Sequence, residues 1–164
     1  MAPATEGWRV VLGRWLQEPW AVVGMGSSLR ADDGVADRVL DWLSDQPFPC
    51  LRGGTAPENL AGPLRTAGLR TILLIDAVAF GGQPGDIRLF GPAELAEQDV
   101  STHGMSPSLL LQYLAAATGA SVCLLGVQPG TCALGAPVGA ACARAAARVA
   151  AELARLAAPG RFAA

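Results

Sequence analysis

Four residues in this 164-residue chain have side chains that could do acid–base or metal chemistry. Asp32 and Asp33 follow an apolar run that contains glycines, and Asp76 ends a longer apolar run. His103 is the only histidine. Two carboxylates about 5 Å apart repel each other by roughly 3 kcal/mol at an effective dielectric near 20, and a divalent cation removes that repulsion. Two carboxylates with one imidazole suit nickel, zinc or iron(II) and leave further coordination positions open.

Each of these residues also has an ordinary structural explanation. Asp32 can cap the helix that follows while Asp33 points into a crevice. Asp76 must be solvated, hydrogen-bonded or bound to a cation, because it closes an otherwise apolar strand. His103 alone is typical of a loop or capping residue. A single histidine excludes H-E-x-x-H zinc proteases and three-histidine zinc sites.

The alternation of short apolar runs with amphipathic segments predicts a layered α/β domain. Apolar runs predict five strands, over residues 20–26, 50–55, 70–78, 86–90 and 121–129. Helical spacing and capping signals predict helices over residues 6–17, from 31 or 32 to about 43, and over 58–67, 107–117 and 137–158.

The continuous apolar run 70–78 is typical of the middle of a parallel sheet, and 86–90 is expected at its edge. In such a sheet a ligand lies beyond the carboxyl ends of the strands, where the strand order reverses. Three residues are expected at that edge: Asp33, Asp76 and His103.

Composition excludes several classes of protein. Twelve basic residues against 14 acidic ones do not suggest binding to nucleic acid. The first residues contain charges and lack the core of a signal peptide, and no apolar run is long enough to predict insertion into a membrane. Four cysteines without a C-x-x-C pair are typical of a reduced cytoplasmic protein, in which we expect them to be small core residues. The length predicts one domain, residues 1–164.

Two other kinds of site are disfavoured. The run "GMGSSL" fails the dinucleotide fingerprint G-x-G-x-x-G, because Leu29 stands where the third glycine is needed. The acids at the next helix start would also repel a phosphate. A serine or cysteine hydrolase is disfavoured because no serine lies in a G-x-S-x-G turn and no cysteine neighbours His103 in the sequence. The failed fingerprint and the two acids therefore disfavour a nucleotide-binding α/β module.

Several motifs occur together in one order: "GMGSSLRADDGVA", "GGTAPEN", "LLIDAVAFGGQPGDIRLF", "STHGMSPSLLLQYL" and "LLGVQP". As a set they resemble the [NiFe]-hydrogenase maturation endopeptidases, closest to the formate-hydrogenlyase (hydrogenase 3) type. The resemblance runs from about Val22 to Pro129. It leaves residues 1–19, an expected N-terminal helical extension, without a counterpart.

The resemblance implies a three-layer sandwich, in which a twisted, mostly parallel five-stranded sheet has helices on both faces. It implies an endopeptidase that removes a C-terminal peptide from the nickel-loaded precursor of a hydrogenase large subunit. Nickel would be carried by that precursor, and the positions that contact it fall on Asp33, Asp76 and His103. Glu58 and Asn59 match the subtype as possible substrate contacts, although a role at a helix start is the favoured explanation for them.

Two points stay open from the sequence. A protein that binds the same precursor as a nickel checkpoint or chaperone, without cutting it, would share every one of these residues. For an endopeptidase, the attacking group could be a water molecule activated by metal or by a carboxylate.

Overall fold

The computed structural model describes residues 7–96 and 105–160, and a five-stranded sheet forms its centre. The strands are β1 (Trp20–Met25), β2 (Cys50–Gly54), β3 (Thr71–Ala77), β4 (Ile87–Phe90) and β5 (Ser121–Val127). Their order across the sheet is β2-β1-β3-β5-β4. All neighbours are parallel except β4, which runs antiparallel to β5 at the edge. The predicted α/β class and the mostly parallel five-stranded sheet are therefore confirmed.

Six α-helices accompany the sheet in the described residues. They are α1 (Gly7–Trp15), α2 (Val35–Trp42), α3 (Ala61–Thr66), α4 (Pro92–Ala96), α5 (Pro107–Thr118) and α6 (Ala140–Leu156). Within the same residues, none of the helices combines the length and the apolar character needed to cross a membrane.

Side chains of the central strands alternate between two apolar clusters, one on each face of the sheet. Leu73 and Ile75 of β3 pack with residues from α1, α2 and α6. Ile72 and Leu74 of the same strand pack with residues from α3, α4 and α5. The helices therefore cover both faces, and the three-layer sandwich is confirmed.

Strand β3 and helix α5 agree most closely with the elements predicted from the sequence. The five residues from Thr71 to Ile75 are all buried, as expected of an inner parallel strand. Ser106 caps α5, since its side chain accepts a hydrogen bond from the backbone N–H of Leu109 at 3.3 Å. Pro107 occupies the start of that helix, where its missing N–H costs nothing.

Three helix boundaries differ from the prediction. A 3-10 helix, Ala31–Gly34, precedes α2, and Ala31 at its start has a positive φ of 45°, which excludes this residue from the α-helix. Another, Pro57–Leu60, precedes α3. The last helix begins at Ala140 instead of near residue 137. The short helix α4 was not predicted, although proline directly after Gly91 is a helix-start signal.

Two of the cysteines meet the expectation of small core residues. Cys123 and Cys142 are buried, whereas Cys50 is half-buried and packs against one apolar cluster. Cys132 is exposed, so the expectation is wrong for that residue. It lies in the long connection between β5 and α6, which extends along the edge of the sheet where the candidate site is found.

Candidate active site

Two of the three predicted site residues meet where the strand order reverses. Strands β1 and β3 are adjacent and parallel, with Gly24 opposite Ile75. From β1 the chain goes to β2 on one side, whereas β3 and β5 lie on the other. A crevice at the carboxyl ends of the strands is expected at such a point. Asp76 lies next to the last residue of β3, and Asp33 lies in the 3-10 helix that follows β1.

The backbone of Gly26 fixes how closely the two acids approach. Gly26 has a φ of +101°, and a side-chain carbon placed on it would lie 2.2 Å from the backbone oxygen of Asp33. The same point lies 3.1 Å from Oδ1 of Asp76 and 3.2 Å from Cγ of Asp33. Both carboxyl groups therefore border one small space, which exists because residue 26 has no side chain.

The two carboxyl groups receive hydrogen bonds from the backbone. The N–H of Ser27 donates to Oδ2 of Asp33 at 2.7 Å, and the N–H of Ala77 donates to Oδ1 of Asp76 at 2.8 Å. In the described part of the chain, no arginine forms an ion pair with either carboxyl group. Among these residues, therefore, no basic side chain compensates their mutual repulsion.

The electrostatic consequence is visible at Asp76, which is half-buried. Desolvation is the main cause that raises the pKa of Asp76, to about 7, and the negative charge of Asp33 raises it further. The hydrogen bond from Ala77 lowers the pKa by a smaller amount. Without a bound cation, Asp76 therefore holds a proton up to nearly neutral pH.

The donor set fits a divalent cation in part. Carboxylate oxygens bind such ions well, and a cation between Asp33 and Asp76 would remove their repulsion. His103, the third predicted contact, lies outside the described residues. Within residues 7–96 and 105–160, no group of three or more His, Cys, Asp or Glu is arranged to hold a metal. A pair of carboxylates suits a cation whose other ligands come from elsewhere.

Asp32 has a different environment from its neighbour Asp33. It does not cap a helix as expected, because the 3-10 helix has no side-chain cap and Asp32 is 2% exposed within it. Its Oδ2 accepts hydrogen bonds from the N–H groups of Gly130 at 2.8 Å and Thr131 at 3.1 Å. Its Oδ1 accepts one from Gly139 at 2.7 Å. Asp32 therefore anchors the loop between β5 and α6 to the site.

These hydrogen bonds also determine the ionisation of Asp32. Burial raises its pKa, but the N–H groups of Gly139, Gly130 and Thr131 more than offset this, so the pKa lies below its ordinary value. The sequence could not reveal this role, since the partners lie about a hundred residues further along the chain.

Cys132 brings a thiol to the same region, which the sequence did not predict. Desolvation and the negative charges of Asp33 and Asp32 raise the pKa of the Cys132 thiol, while the N–H of Asp33 opposes the shift. The thiolate is the nucleophilic form of cysteine. These surroundings therefore disfavour Cys132 as an attacking group.

Glu58 and Asn59, the possible substrate contacts, lie in the 3-10 helix Pro57–Leu60 after β2. Glu58 is half-buried in its first turn and Asn59 is exposed. No side chain caps this helix. The two residues therefore lie at a helix start, as the ordinary explanation requires, but neither side chain makes a capping hydrogen bond.

The sequence model of the HycI hydrogenase maturation proteases matches residues 45–154, which include Asp76 and His103. The hydrogenase 3 maturation protease of Escherichia coli K12 is 32% identical over 109 residues, covering 64% of this chain and 69% of the relative. This chain belongs to the hydrogenase maturation protease family.

Solved structures agree with this assignment. The [NiFe] hydrogenase maturation protease HycI of Thermococcus kodakarensis superposes with a TM-score of 0.82 at 26% identity, covering 89% of this protease and 97% of that chain. The solution structure of the endopeptidase HycI from Escherichia coli gives 0.72 at 28% identity, covering 80% and 86%. The protease is thus an endopeptidase of hydrogenase maturation, and a non-cleaving checkpoint protein is not favoured.

The raised pKa of Asp76 predicts how the stability of the metal-free protease depends on pH. Between pH 4 and 7 an unfolded Asp76 has lost its proton while the folded one keeps it, so its contribution to stability falls as pH rises through this window. Asp76→Asn removes the charge and should raise the free energy of unfolding by about 1–3 kcal/mol at pH 8, with no gain near pH 4. Urea unfolding of both proteins, in the presence of a chelator, measures the difference.

The matched control for this experiment is Asp45→Asn, an exposed acid in a turn, which should change stability little at either pH. A gain for Asp76→Asn that is the same at pH 4 and pH 8 would contradict the assigned pKa.

Because Asp32 accepts hydrogen bonds as a carboxylate, replacing it by asparagine should lower stability, whereas Asp76→Asn should raise it. In Asp32→Asn the side-chain NH₂ must face at least one backbone N–H, so the free energy of unfolding at pH 7 should fall by about 1–3 kcal/mol. The loss should shrink as the pH falls from the ordinary aspartate pKa through the lowered pKa of folded Asp32, because the unfolded chain takes up this proton before the folded protein does. Urea unfolding at pH 7 and pH 3 checks this, and equal stability at pH 7 would show that these hydrogen bonds do not hold the loop.

Gly26→Ala tests the space between the two acids. The added carbon meets the backbone oxygen of Asp33 and sits at a positive φ, so we expect a loss of about 1–3 kcal/mol in stability and strongly reduced cleavage. Gly62→Ala in α3 is the control, because its added carbon meets nothing within 4 Å. That variant should cleave normally and be slightly more stable. Normal cleavage by Gly26→Ala, measured by mass spectrometry of the product, would refute the role of this space.

Proposed function

We propose that this protease removes the C-terminal peptide from the nickel-loaded precursor of a [NiFe]-hydrogenase large subunit. The observation that supports it is the pair Asp33 and Asp76, which border one side-chain-free space at Gly26 and form no ion pair with a basic side chain in residues 7–96 and 105–160. A pair of repelling carboxylates gains most from a ligand that brings a cation of its own. Nickel is therefore part of the substrate in this proposal, and the enzyme alone would hold it weakly.

His103 is proposed as the third contact to that nickel, because it is the only imidazole in the chain and nickel binds imidazole well. The proposed contacts are then Asp33, Asp76 and His103. With only three ligands from the enzyme, the other positions on the metal stay with the precursor. The binding free energy of these metal contacts is thus available only when the precursor is loaded.

The group that attacks the peptide bond is proposed to be a water molecule, activated by one of the carboxylates or by the metal. The surroundings of Cys132 disfavour a thiolate nucleophile. The enzyme is therefore of a metal-assisted aspartic type in this proposal.

Two further parts of the proposal concern contacts to the precursor and the cellular compartment of the enzyme. Glu58 and Asn59 would contact the precursor, since they lie at the start of a helix that follows β2 and their side chains are not used for capping. The cytoplasm is the proposed compartment, because the four cysteines are free and a reducing compartment keeps them so.

The deciding experiment compares precursor with and without nickel. Loaded precursor should be cut, and precursor made without nickel should stay intact at the same enzyme concentration, when a chelator is added after nickel insertion. Asp33→Ala and His103→Ala should leave both forms essentially uncut. Their rate of cleavage of loaded precursor should be at least about a hundredfold below that of the wild type, because each removes a contact made in the reaction. The mass of the product identifies the cut.

Asp45→Ala, at an exposed turn, is the control and should cut loaded precursor at the normal rate. Efficient cleavage of nickel-free precursor under the chelator would overturn the nickel part of the proposal. It would return Asp33, Asp76 and His103 to ordinary acid–base roles.

A further inference from the structure

Two leucines are strongly exposed on neighbouring loops at the carboxyl edge of the sheet. Leu29 is 69% exposed and Leu134 is 71% exposed. Their loops are joined by a hydrogen bond from the N–H of Gly135 to the oxygen of Leu29 at 2.8 Å. A second one runs from the N–H of Ala31 to the oxygen of Ala136 at 3.1 Å. The two leucines therefore belong to one surface, which we call the apolar rim.

The apolar rim is connected to both acids of the 3-10 helix. Leu29 donates its N–H to the hydroxyl of Ser27 at 3.3 Å, and the N–H of Ser27 in turn donates to Asp33. The loop of Leu134 is anchored by Asp32, the residue directly before Asp33. The loops of both leucines are thus linked by hydrogen bonds to the 3-10 helix that carries Asp33.

Both loops are held before any ligand arrives. The N–H of Arg30 donates to the oxygen of Ser27, and the N–H of Asp32 donates to the oxygen of Thr131. With the three bonds to the Asp32 carboxylate, these fix the backbone on either side of the rim. A surface that is ordered in advance loses little conformational entropy on binding. Single exposed apolar residues are normal on a protein surface, whereas neighbouring ones that form a patch mark interaction sites.

Other large apolar side chains are also exposed in the described residues, but they lie on helices: Val10 and Val11 on α1, Trp42 on α2, and Leu109 and Tyr113 on α5. None of these belongs to the hydrogen-bonded loops around Asp33. The apolar rim is therefore distinguished by its continuity with the candidate active site.

We propose that Leu29 and Leu134 bind the polypeptide of the hydrogenase precursor beside the bond that is cut, by covering an apolar side chain of that segment. The inference rests on the proposed function in one respect, namely that the precursor is the substrate. The rim lies on the two loops that are hydrogen-bonded to the 3-10 helix of Asp33, so a polypeptide bound at the carboxylate pair lies next to it. The rim supplies affinity for that segment through apolar contact, which metal loading does not change.

The test replaces each leucine by serine and measures cleavage of nickel-loaded precursor over a range of concentrations. Leu29→Ser and Leu134→Ser should each raise KM by about tenfold, since an apolar contact of this size is lost. They should leave kcat within about twofold, because the contact is made equally before and during the reaction. Trp42→Ser is the matched control: Trp42 is 67% exposed and lies at the far end of α2 from the site, so its KM should not change.

The variants are first checked by urea unfolding, since substitution of an exposed residue should not change stability much. An unchanged KM in both leucine variants, or an equal rise in Trp42→Ser, would overturn the proposal. So would a wild-type dimer in sedimentation that Leu134→Ser converts to a monomer, because the rim would then bind a second copy of the chain.

Failure of the proposed function gives a different result. If no form of the enzyme cuts the precursor, binding of the precursor to immobilised protein is measured instead. A dissociation constant about tenfold higher for the leucine variants than for Trp42→Ser supports the rim even then. Equal dissociation constants for all three variants would overturn it.

Discussion

The close approach of Asp33 and Asp76 across Gly26 is the constraint on which the rest of the site depends. The backbone at Gly26 adopts a positive φ, and the space that a side chain would occupy lies within 3.2 Å of both carboxyl groups. Two acids with no basic partner in the described residues raise the free energy of the folded protein unless one is protonated or a cation lies between them. Unfavourable electrostatics of this kind is typical of functional sites.

Neighbouring acids acquire different roles because their surroundings differ. Three backbone N–H groups stabilise the charged form of Asp32, whose pKa is lowered, and tie a distant loop to the sheet. Asp76 is desolvated and faces Asp33, and its pKa is raised. A group that stays ionised suits an anchor, whereas one that titrates near neutral pH suits chemistry or a cation. Asp32 thus keeps the surface around Asp33 and Asp76 in place.

The sequence predicted most of the sheet and part of the site. An apolar run such as 71–75 and a cap such as Ser106 are local signals, and both were confirmed. The meeting of Asp33 and Asp76 followed from the rule for parallel sheets, since both acids come after strands. The anchoring role of Asp32 and the exposure of Cys132 depend on a loop that returns from a hundred residues away, and no local pattern records such a contact.

The two parts of this edge would contribute differently to recognition of a precursor. Apolar contact at Leu29 and Leu134 has the same free energy whether or not the precursor carries nickel, so it can add affinity but cannot select the loaded form. Selection requires a difference between the two complexes. The repelling pair at Asp33 and Asp76 supplies one, because a precursor without a cation leaves the repulsion in place and a loaded one removes it. An arginine paired with these acids would neutralise them permanently, so the absence of such an ion pair among the described residues contributes to selection together with the acids themselves.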